Sequence, residues 1–426
     1  MTTFDPDVCV VGLGKIGLPL AVQFAGAGCR VRGADIDRRV VDLVNAGREP
    51  FPGEADLGTR LASVVAAGML SADTDTTAAV AESDVVIVVV PLVVDGAGVP
   101  DFAAMDAATA AVAAGLRPGT TVIYETTLPV FTTRRRFAPA LAAGSGLTLG
   151  VDLHVAFSPE RVFSGRIFAD LRHYPKLVGG LDDVSAERAA TFYERVLDFD
   201  ERADLERPNG VWDLGSAEAA ELAKLAETTY RDLNIAYANE LAAFAETAGI
   251  DVYGVIDAAN SQPFSHIHRP GIAVGGHCIP VYPRFLLQNA PDARLPRVAR
   301  EINDAAPERA VELLAGRLGG LDGARVVVLG AAYRGDVKET AFSGVFATVD
   351  ALVSRGAVVT VDDPLYDDDE LRALGFEPHP VGDAVVAAVV QADHARYRSL
   401  VPADLPGVRV VLDGRGVLDA AAFDAA

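Results

Sequence analysis

The sequence predicts an α/β protein with two Rossmann-like, doubly wound parallel sheets joined by a central all-α domain with a long helix. Three observations favour this fold class. Short apolar runs alternate with alanine-rich segments in the first block of the chain, residues 216–251 contain no proline, and the alternation begins again near residue 321. Such alternation is typical of parallel sheets that are covered by helices on both faces.

The first block contains four apolar runs that we expect to form buried strands. Continuous apolar runs of this length are typical of strands with both faces covered. Alanine-rich stretches with helical spacing separate the runs, as a doubly wound sheet requires. The runs are VCVVGLG, RVRGADI, DVVIVVVP and TTVIYET.

The middle block is predicted to begin with one long helix. Ser216 is the expected N-cap and Gly249 the expected end, because small polar residues cap helix N-termini and glycine commonly ends a helix. A helix of this length exceeds what one small domain needs. We therefore expect it to bridge domains or to pack against a partner chain, and we predict a homodimer formed through this helix.

The third block again contains apolar runs that end in turn residues. Helical stretches lie between them, so a second and smaller α/β sheet is expected here. The runs are ARVVVLGAAYRG, AVVTVDDP, AVVAAVVQADH and VRVVLDGRG.

Composition and charge exclude several classes of function. With 426 residues, 50% of them hydrophobic, the chain is long enough for about 2 to 4 globular domains. A formal net charge of -22 argues against a surface that follows nucleic-acid phosphates. The first residues lack a leader pattern, no apolar run reaches the roughly 18 residues of a membrane span, and cysteine is scarce. We expect a cytoplasmic protein with no nucleic-acid or membrane partner.

A glycine motif directly follows the first predicted strand. Gly12 would allow a tight turn, Gly14 the close approach of a pyrophosphate, and Gly17 the close packing of the next helix. The second predicted strand ends at Asp35, whose carboxylate would bind a ribose diol and repel a 2′-phosphate. This context predicts a dinucleotide site that prefers NAD to NADP, although Arg38 follows closely. The alternative is a glycine-rich turn with an acidic N-cap.

One of the three cysteines, Cys278, lies in the segment AVGGHCIPVYPRF. A lone cysteine is usually a small buried hydrophobic residue. The adjacent Gly275 and Gly276 favour another interpretation, because paired glycines let the backbone come close to a ligand. A thiol in such a loop of an NAD-binding protein is a candidate for covalent catalysis. No metal is expected, since the histidines of this region lack metal-ligand spacing.

Seven motifs follow one another along nearly the whole chain. They are GLGKIGLPLA, GADID, YETTLP, SPERVFSG, AKLAETTYRDLNIAYANELA, GGHCIPV and GAAYRGDVKET. Together they resemble the nucleotide-sugar dehydrogenases that oxidise UDP-glucose, GDP-mannose or UDP-N-acetylmannosamine to uronic acids, and GGHCI is most similar to the UDP-N-acetyl-hexosamine branch. The resemblance implies an NAD-binding domain at 1–205, a central helical domain for dimerisation and the catalytic cysteine at 206–318, and a nucleotide-sugar-binding α/β domain at 319–426.

The resemblance also implies a mechanism. NAD would oxidise the C6 alcohol of a nucleotide sugar twice, with a UDP-sugar as the expected substrate. Cys278 would hold the intermediate aldehyde as a thiohemiacetal and then as a thioester, which water hydrolyses. Lys224 would stabilise developing oxyanions, unless it is a solvated lysine on a long helix. Glu160 would lie near the sugar and water, and Thr127 would contact the reacting region.

Two sets of binding residues complete the implied site. The cofactor-binding residues are Gly12, Gly14, Lys15, Ile16, Gly17, Asp35, Ile36, Pro91, Leu92, Glu125 and Thr126. The substrate-binding residues are Arg161, Val162, Phe163, Lys224, Thr228, Gly275, Tyr333 and Arg334.

Several positions depart from the family pattern where chemistry is expected. Tyr282 stands where relatives carry an aspartate, and Thr228 where they carry an asparagine. A tyrosine, with an ordinary pKa of about 10, cannot supply a carboxylate at neutral pH. Ala341 replaces an arginine that contacts the nucleotide sugar, Leu92 replaces a threonine near the cofactor, and Arg334 stands where relatives have lysine.

The departures leave three hypotheses open. In the first, the four-electron oxidation to the uronic acid survives with rearranged helper residues. In the second, oxidation stops after two electrons at an aldehyde or a ketone. In the third, the chain binds a nucleotide sugar without turning it over. The retained Cys278 and Lys224 favour the first.

Overall fold

The computed structural model of the chain describes residues 6–95 and 98–424. These residues divide into two compact units, the first ending at Ala226 and the second beginning at Glu227. The predicted domain boundaries at 205/206 and 318/319 remain predictions.

The first unit is built on one eight-stranded sheet and a small hairpin. The sheet has the strand order β10-β9-β8-β7-β4-β1-β2-β3, and the hairpin consists of β5 and β6. The strands are β1 Asp7–Val11, β2 Arg30–Ala34, β3 Leu70–Asp73, β4 Val85–Val88, β5 Val93–Val94, β6 Pro100–Asp101, β7 Thr120–Tyr124, β8 Leu153–Phe157, β9 Lys176–Gly180 and β10 Val211–Asp213.

Helices cover both faces of this sheet. Along β1 the side chains alternate between two apolar layers, with Val8 and Val10 in one and Cys9 and Val11 in the other. This period of two is the geometry of a strand with both faces buried. The helices are α1 Gly17–Gly26, α2 Arg38–Asn45, α3 Leu57–Ala66, α4 Thr76–Ala81, α5 Ala103–Gly115, α6 Ala138–Ser145, α7 Ile167–His173 and α8 Asp183–Val196, with a π-helical turn at Thr133–Phe137 before α6.

The sheet differs from the all-parallel prediction at one strand pair, beyond which β9 and β10 both run opposite to the other strands. β9 runs antiparallel to β8, with Ala156 opposite Gly180 and Phe157 opposite Gly179. The connection between β8 and β9 contains only the short helix α7, and the chain re-enters the sheet at the edge where β8 ends. The first residue of β9 therefore lies at the edge where the parallel strands have their carboxyl ends.

The long helix α9 spans Ala217–Ala248, and the boundary between the units falls within it. The predicted N-cap is confirmed, since the Ser216 hydroxyl accepts a hydrogen bond from the amide of Ala219 at 3.2 Å. The predicted end is confirmed as well, because Gly249 follows the last helical residue and has a φ of 66°. A positive φ is the conformation for which glycine is preferred at a helix C-terminus.

The second unit contains a smaller sheet in which every strand pair is parallel. Its order is β12-β11-β13-β14, which confirms the second α/β sheet. The strands are β11 Arg325–Leu329, β12 Val358–Asp362, β13 Ala387–Val390 and β14 Val410–Asp413. The helices are α10 Val252–Asn260, α11 Tyr282–Asn289, α12 Arg294–Leu318, α13 Val345–Val353, α14 Asp368–Ala373 and α15 Ala420–Asp424.

Within residues 6–95 and 98–424, no helix combines the length and the apolar character needed to cross a bilayer. The cytoplasmic location stays a prediction.

The packing of Gly17 gives a first testable prediction. A Cβ atom at this position would lie 1.8 Å from the carbonyl oxygen of Gly12. Because a backbone atom cannot move aside as a flexible side chain can, we expect Gly17→Ala to lower the free energy of unfolding by about 1–3 kcal/mol. Denaturant unfolding measures the change.

Gly26→Ala is the matched control in the same helix. A Cβ atom at Gly26 would meet nothing within 4 Å, and alanine favours a helix more than glycine does. The control should be as stable as the wild type or slightly more stable. Equal stability of Gly17→Ala and the wild type would contradict the assigned packing.

Candidate active site

The glycine motif forms the turn between β1 and α1. Gly12 has a φ of 93°, and its amide donates a hydrogen bond to the carbonyl of Ala34 at 2.8 Å. Gly17 packs against the Gly12 carbonyl, whereas a Cβ at Gly14 would meet nothing within 4 Å. α1 begins at Gly17 without a side-chain cap on its amides. The turn therefore has the open space and the amide-rich helix start that a pyrophosphate requires.

Asp35 lies beside this turn at the end of β2. One carboxylate oxygen accepts a hydrogen bond from the amide of Leu13 at 2.7 Å, and the other accepts one from the amide of Asp37 at 2.9 Å. These bonds fix the carboxylate next to the glycine motif, where its charge repels a 2′-phosphate. The following residue, Ile36, is 95% exposed.

The remaining predicted cofactor residues lie on the loops after β4 and β7. The hydroxyl of Thr126 donates a hydrogen bond to the carbonyl of Val90 at 2.7 Å, which ties the two loops together. Pro91 is exposed and Leu92 is half-buried. Thr127 is buried. β4 and β7 are adjacent in the sheet, and β4 is adjacent to β1, so these loops continue the edge that begins at the glycine turn.

A buried group of ionisable side chains lies at the same edge. The ammonium of Lys176 donates hydrogen bonds to Glu125 at 2.8 Å and to Glu160 at 3.0 Å. The hydroxyl of Tyr193 donates to the other oxygen of Glu125 at 2.5 Å. We call these four residues the carboxylate cluster. The sequence analysis named Glu125 and Glu160 but missed Lys176 and Tyr193, which lie on β9 and α8.

The two carboxyl groups of the carboxylate cluster have pKa values shifted in opposite directions. Burial raises the pKa of Glu125 to about 7, against the charge of Lys176. Burial alone would also raise the pKa of Glu160, but the charge of Lys176 and hydrogen bonds to its oxygens outweigh burial and lower that pKa. The side chain of Glu160 is 12% exposed, whereas that of Glu125 is fully buried. Glu160 is therefore the ionised member that reaches the surface of the cluster.

The three residues after Glu160 continue along the same edge. Arg161 donates a hydrogen bond to the carbonyl of Pro175 at 3.3 Å. The amide of Phe163 donates to Asp170 at 2.9 Å, while its ring is exposed. A cleft lined by Glu160, Arg161, Val162, Tyr174 and Lys176, among others, lies beside the carboxylate cluster.

The first turns of α9 dock on this unit through acidic side chains. Glu221 is fully buried and accepts hydrogen bonds from the amides of Phe131 at 2.7 Å and Thr133 at 2.9 Å. Burial raises the pKa of Glu221 to about 7. Lys224 follows one turn later and is 7% exposed. The alternative of a solvated lysine is therefore wrong.

In the second unit, the cysteine loop packs against the loop after β11. A Cβ at Gly275 would lie 2.7 Å from Cβ of Tyr333, and one at Gly276 would lie 3.0 Å from the Tyr333 ring. The amide of Gly276 donates a hydrogen bond to the carbonyl of Ala341 at 2.9 Å. Cys278 is a free thiol and is exposed, so its interpretation as a buried hydrophobic residue is wrong.

Two buried side chains hold the loop that carries Tyr333 and Arg334. Asp363 accepts hydrogen bonds from the amides of Ala331 at 2.8 Å and Ala332 at 3.0 Å. His394 lies 3.1 Å from the same carboxylate through Nε2, and its Nδ1 accepts a bond from the amide of Asp336 at 3.1 Å. These bonds connect both ends of the loop to the sheet.

Arg334 presents a buried donor in this loop. Its Nε has no hydrogen-bond partner among the described residues, although the atom is buried. An unpartnered buried N–H is unfavourable unless a ligand or water accepts from it. The atom fits a position that meets a phosphate or a nucleotide oxygen.

Two of the departures from the family pattern, Tyr282 and Thr228, lie on helices. Tyr282 is the first residue of α11, and its amide donates a hydrogen bond to the carbonyl of Cys278 at 2.9 Å. Its ring packs against Phe285 with 5.7 Å between centroids. Thr228 is buried on α9 in the second unit. The structure thus places Gly12, Asp35, Glu125 and Glu160 at one sheet edge of the first unit. In the second unit it places the cysteine loop against the loop of Tyr333 and Arg334.

Three family models match most of the chain. The model for the NAD binding domain of the UDP-glucose/GDP-mannose dehydrogenase family matches residues 6–197. The model for the central domain of that family matches residues 218–305, and the model for its UDP binding domain matches residues 327–420.

Curated relatives and solved structures agree with these matches. A UDP-N-acetyl-D-mannosamine dehydrogenase of Pyrococcus horikoshii is 35% identical over 419 residues, which cover 96% of each chain. One of Salmonella typhimurium is 32% identical over 96% of this chain and 98% of its own. The solved structure of a UDP-D-ManNAc dehydrogenase from Pyrococcus horikoshii has a TM-score of 0.86 at 32% identity, covering 97% of this chain and 96% of that one. A UDP-glucose dehydrogenase from Pyrobaculum islandicum has a TM-score of 0.86 at 28% identity, with coverages of 98% and 95%.

The position of Asp35 predicts the basis of coenzyme choice. We expect Asp35→Asn to lower the ratio of kcat/KM for NAD to kcat/KM for NADP by at least about tenfold, because the neutral amide no longer repels a 2′-phosphate. Initial rates with each coenzyme give the ratio. Asp37→Asn is the matched control, since Asp37 caps α2 through the amide of Arg39 and asparagine caps equally well. An unchanged ratio in Asp35→Asn would contradict this role.

Proposed function

The chain belongs to the UDP-glucose/GDP-mannose dehydrogenase family, and on this basis we propose that it oxidises the C6 alcohol of a UDP-sugar to the uronic acid in two steps. It is an NAD-dependent nucleotide-sugar dehydrogenase. The observation that carries the proposal is the exposed thiol of Cys278, held in a glycine loop against Tyr333 and the loop of Arg334.

The first step converts the alcohol to an aldehyde. NAD, when bound, would supply the hydride acceptor for C6 of the sugar. The glycine turn at Gly12–Gly17 would hold its pyrophosphate, and Asp35 its ribose diol. The hydroxyl proton leaves to a nearby base as the carbonyl forms. Lys224, buried on the first part of α9, stabilises the oxygen that becomes negative during this transfer.

The second step uses Cys278 as a nucleophile. Its sulfur bonds to the aldehyde carbon and the carbonyl oxygen takes up a proton, which gives a thiohemiacetal. With NAD as the hydride acceptor, this carbon would lose a second hydride and its hydroxyl group a proton, which would give a thioester. An exposed thiol suits this role because it is accessible to a ligand and because a thiolate both attacks and leaves readily.

Hydrolysis of the thioester completes the reaction. Water adds to the carbonyl carbon, the carbon–sulfur bond breaks, and the sulfur leaves as the thiolate of Cys278. Glu160 takes the proton from this water. The buried Thr127, two residues after Glu125 in the YETTLP motif, contacts the reacting region. A carboxylate near the water is needed because Tyr282 supplies none at neutral pH.

Two observations support the proposed substrate, which are the substrates of the relatives and the buried donor of Arg334. The two curated relatives named above are UDP-N-acetyl-D-mannosamine dehydrogenases, so a UDP-N-acetyl-hexosamine is the first candidate for this chain. The unpartnered Nε of Arg334 supports binding of the nucleotide portion. Arg161 and Val162 line the small cleft beside the carboxylate cluster, and with Phe163 they are proposed to contact the sugar.

A second candidate activity follows from the departures at Tyr282 and Thr228. If these departures prevent the second oxidation as well as the water step, the reaction stops after two electrons at an aldehyde or a ketone. A chain that only binds the nucleotide sugar is the third candidate. The three activities differ in the number of NADH molecules formed per sugar, which are two, one and none.

This number is a direct test. We expect the wild type to form two NADH per UDP-N-acetyl-hexosamine consumed, and Cys278→Ser to form at most one because a hydroxyl is a far weaker nucleophile and leaving group than a thiolate. Absorbance of NADH and chromatography of the sugar measure both quantities. Cys29→Ala, which removes a buried thiol, should still form two. Two NADH at the wild-type rate from Cys278→Ser would exclude the thioester.

We also propose that the chain forms a homodimer through α9. Tyr230, Tyr237 and Phe244 are 55%, 52% and 68% exposed. Their spacing of seven residues places them on one side of the helix, since seven residues make about two turns. Large aromatic side chains in a row are an unusual surface for a monomer and are typical of an interface.

A charged residue introduced into the proposed interface tests the dimer. We expect Tyr237→Glu to shift the mass measured by light scattering from that of two chains to that of one, because a buried carboxylate without a partner opposes association. Val381→Glu is the matched control, as Val381 is 96% exposed but lies outside this row. A dimeric Tyr237→Glu at every concentration would contradict an interface on this side of α9.

A further inference from the structure

Lys176 is a buried cation to which the proposed reaction has so far given no role. It is the first residue of β9, the strand that runs antiparallel to β8. This direction brings its side chain to the edge where β7 and β8 end, next to Glu125 and Glu160. The side chain is 5% exposed, and both of its carboxylate partners lie within 3.0 Å of Nζ.

The surroundings of Lys176 contain few other charges. The titratable or charged groups that face the carboxylate cluster or line the adjacent cleft come from every element packed around it. They are Glu125 after β7, Glu160 and Arg161 after β8, Asp170 on α7, Tyr174 before β9, and Tyr193 on α8. Asp170 is itself paired with Arg166. Lys176 is therefore the cation that contacts both carboxylates of the cluster.

The hydrogen bonds hold Glu160 in one orientation. One of its oxygens accepts from Lys176, and the other accepts from the amide of Arg161 at 2.7 Å. Each oxygen keeps a further lone pair for a proton. Glu125 is held in the same way by Lys176 and by Tyr193. The orientation of Glu160 thus depends on the side chain of Lys176 and the amide of Arg161, together with a side-chain hydrogen bond to Glu125.

The two carboxylates compete for one positive charge. A single ammonium neutralises one carboxylate, and a second buried carboxylate within reach of the first is stable only if it binds a proton. Burial is complete at Glu125 and incomplete at Glu160, so the proton belongs on Glu125. The raised pKa of Glu125 and the lowered pKa of Glu160 agree with this division.

We propose that Lys176 is a positioning residue that keeps Glu160 ionised and oriented to accept the proton of the hydrolytic water. This inference rests on the proposed function, in which Glu160 accepts that proton. Lys176 acts through Glu160 and contacts neither sugar nor cofactor in this role.

The kinetic test is the pH dependence of Lys176→Met. Without the ammonium, burial is no longer opposed by the charge of Lys176 and raises the pKa of Glu160, so less of it is ionised at neutral pH. We expect kcat for uronic acid formation to fall at least about tenfold near pH 7 and to recover as the pH rises by about two units. The thioester on Cys278 should accumulate at neutral pH and be visible by mass spectrometry of the intact protein.

Two further variants distinguish positioning from a structural role. Lys176→Arg keeps the positive charge and should keep the acidic limb of the pH profile at the wild-type position. Arg117→Met removes an exposed cation paired with Asp84 at the opposite edge of the sheet, and its profile should match the wild type. The proposal would be overturned if kcat of Lys176→Met were lowered by the same factor at every pH, or if it were not lowered at all.

A second measurement does not need turnover. Infrared difference spectra between about pH 6 and pH 8 report the protonation of carboxyl groups, and Glu160→Gln identifies the band of Glu160. We expect this band to be that of a carboxylate throughout in the wild type and to titrate in Lys176→Met. The same titration in both proteins would overturn the role of Lys176. Absence of NADH formation by the wild type would instead overturn the proposed function, while the spectra would still decide the role of Lys176.

Discussion

The first unit depends on one constraint, which is that the carboxyl ends of parallel strands meet at the same edge of a sheet. The glycine turn follows β1, Asp35 follows β2, and Glu125 follows β7. Residues far apart in the sequence are thereby brought together along one edge of the sheet by the strand directions alone. The helices on both faces exclude water from the strands, so the polar groups at the edge become the ones that remain available to ligands.

The antiparallel strand β9 changes the electrostatics of this edge. If β9 were parallel to β8, its first residue would lie at the opposite edge, and Glu125 and Glu160 would lack the ammonium of Lys176. Two buried carboxyl groups without a cation are unfavourable, and the chain would have to keep both protonated or expose them to water. The reversed direction of β9 therefore allows an ionised carboxylate to exist in a largely buried position.

In the second unit, a close approach between two backbone segments fixes the position of the cysteine loop. The absence of Cβ atoms at Gly275 and Gly276 lets the cysteine loop lie directly against Tyr333. The loop of Tyr333 is in turn fixed by Asp363 and His394. The thiol of Cys278 is thus accessible while the backbone beside it is held. For the nucleophilic role proposed for Cys278, a thiol that is exposed but positioned needs little reorganisation before it reacts.

The sequence by itself determined the fold class, both ends of α9, the glycine turn with Asp35, and the family. These features are local, since each depends on residues close together in the chain and on backbone rules that hold in any protein. The tertiary structure alone decided the surroundings of the carboxylates. Lys176 and Tyr193 are 51 and 68 residues away from Glu125, and one of them lies on a strand whose direction no local pattern indicates. The structure also decided that Lys224 is buried and that Cys278 is exposed, because burial is a property of packed elements rather than of any one segment. Charge states that depend on burial and on a distant cation can be assigned only once the chain has folded around them.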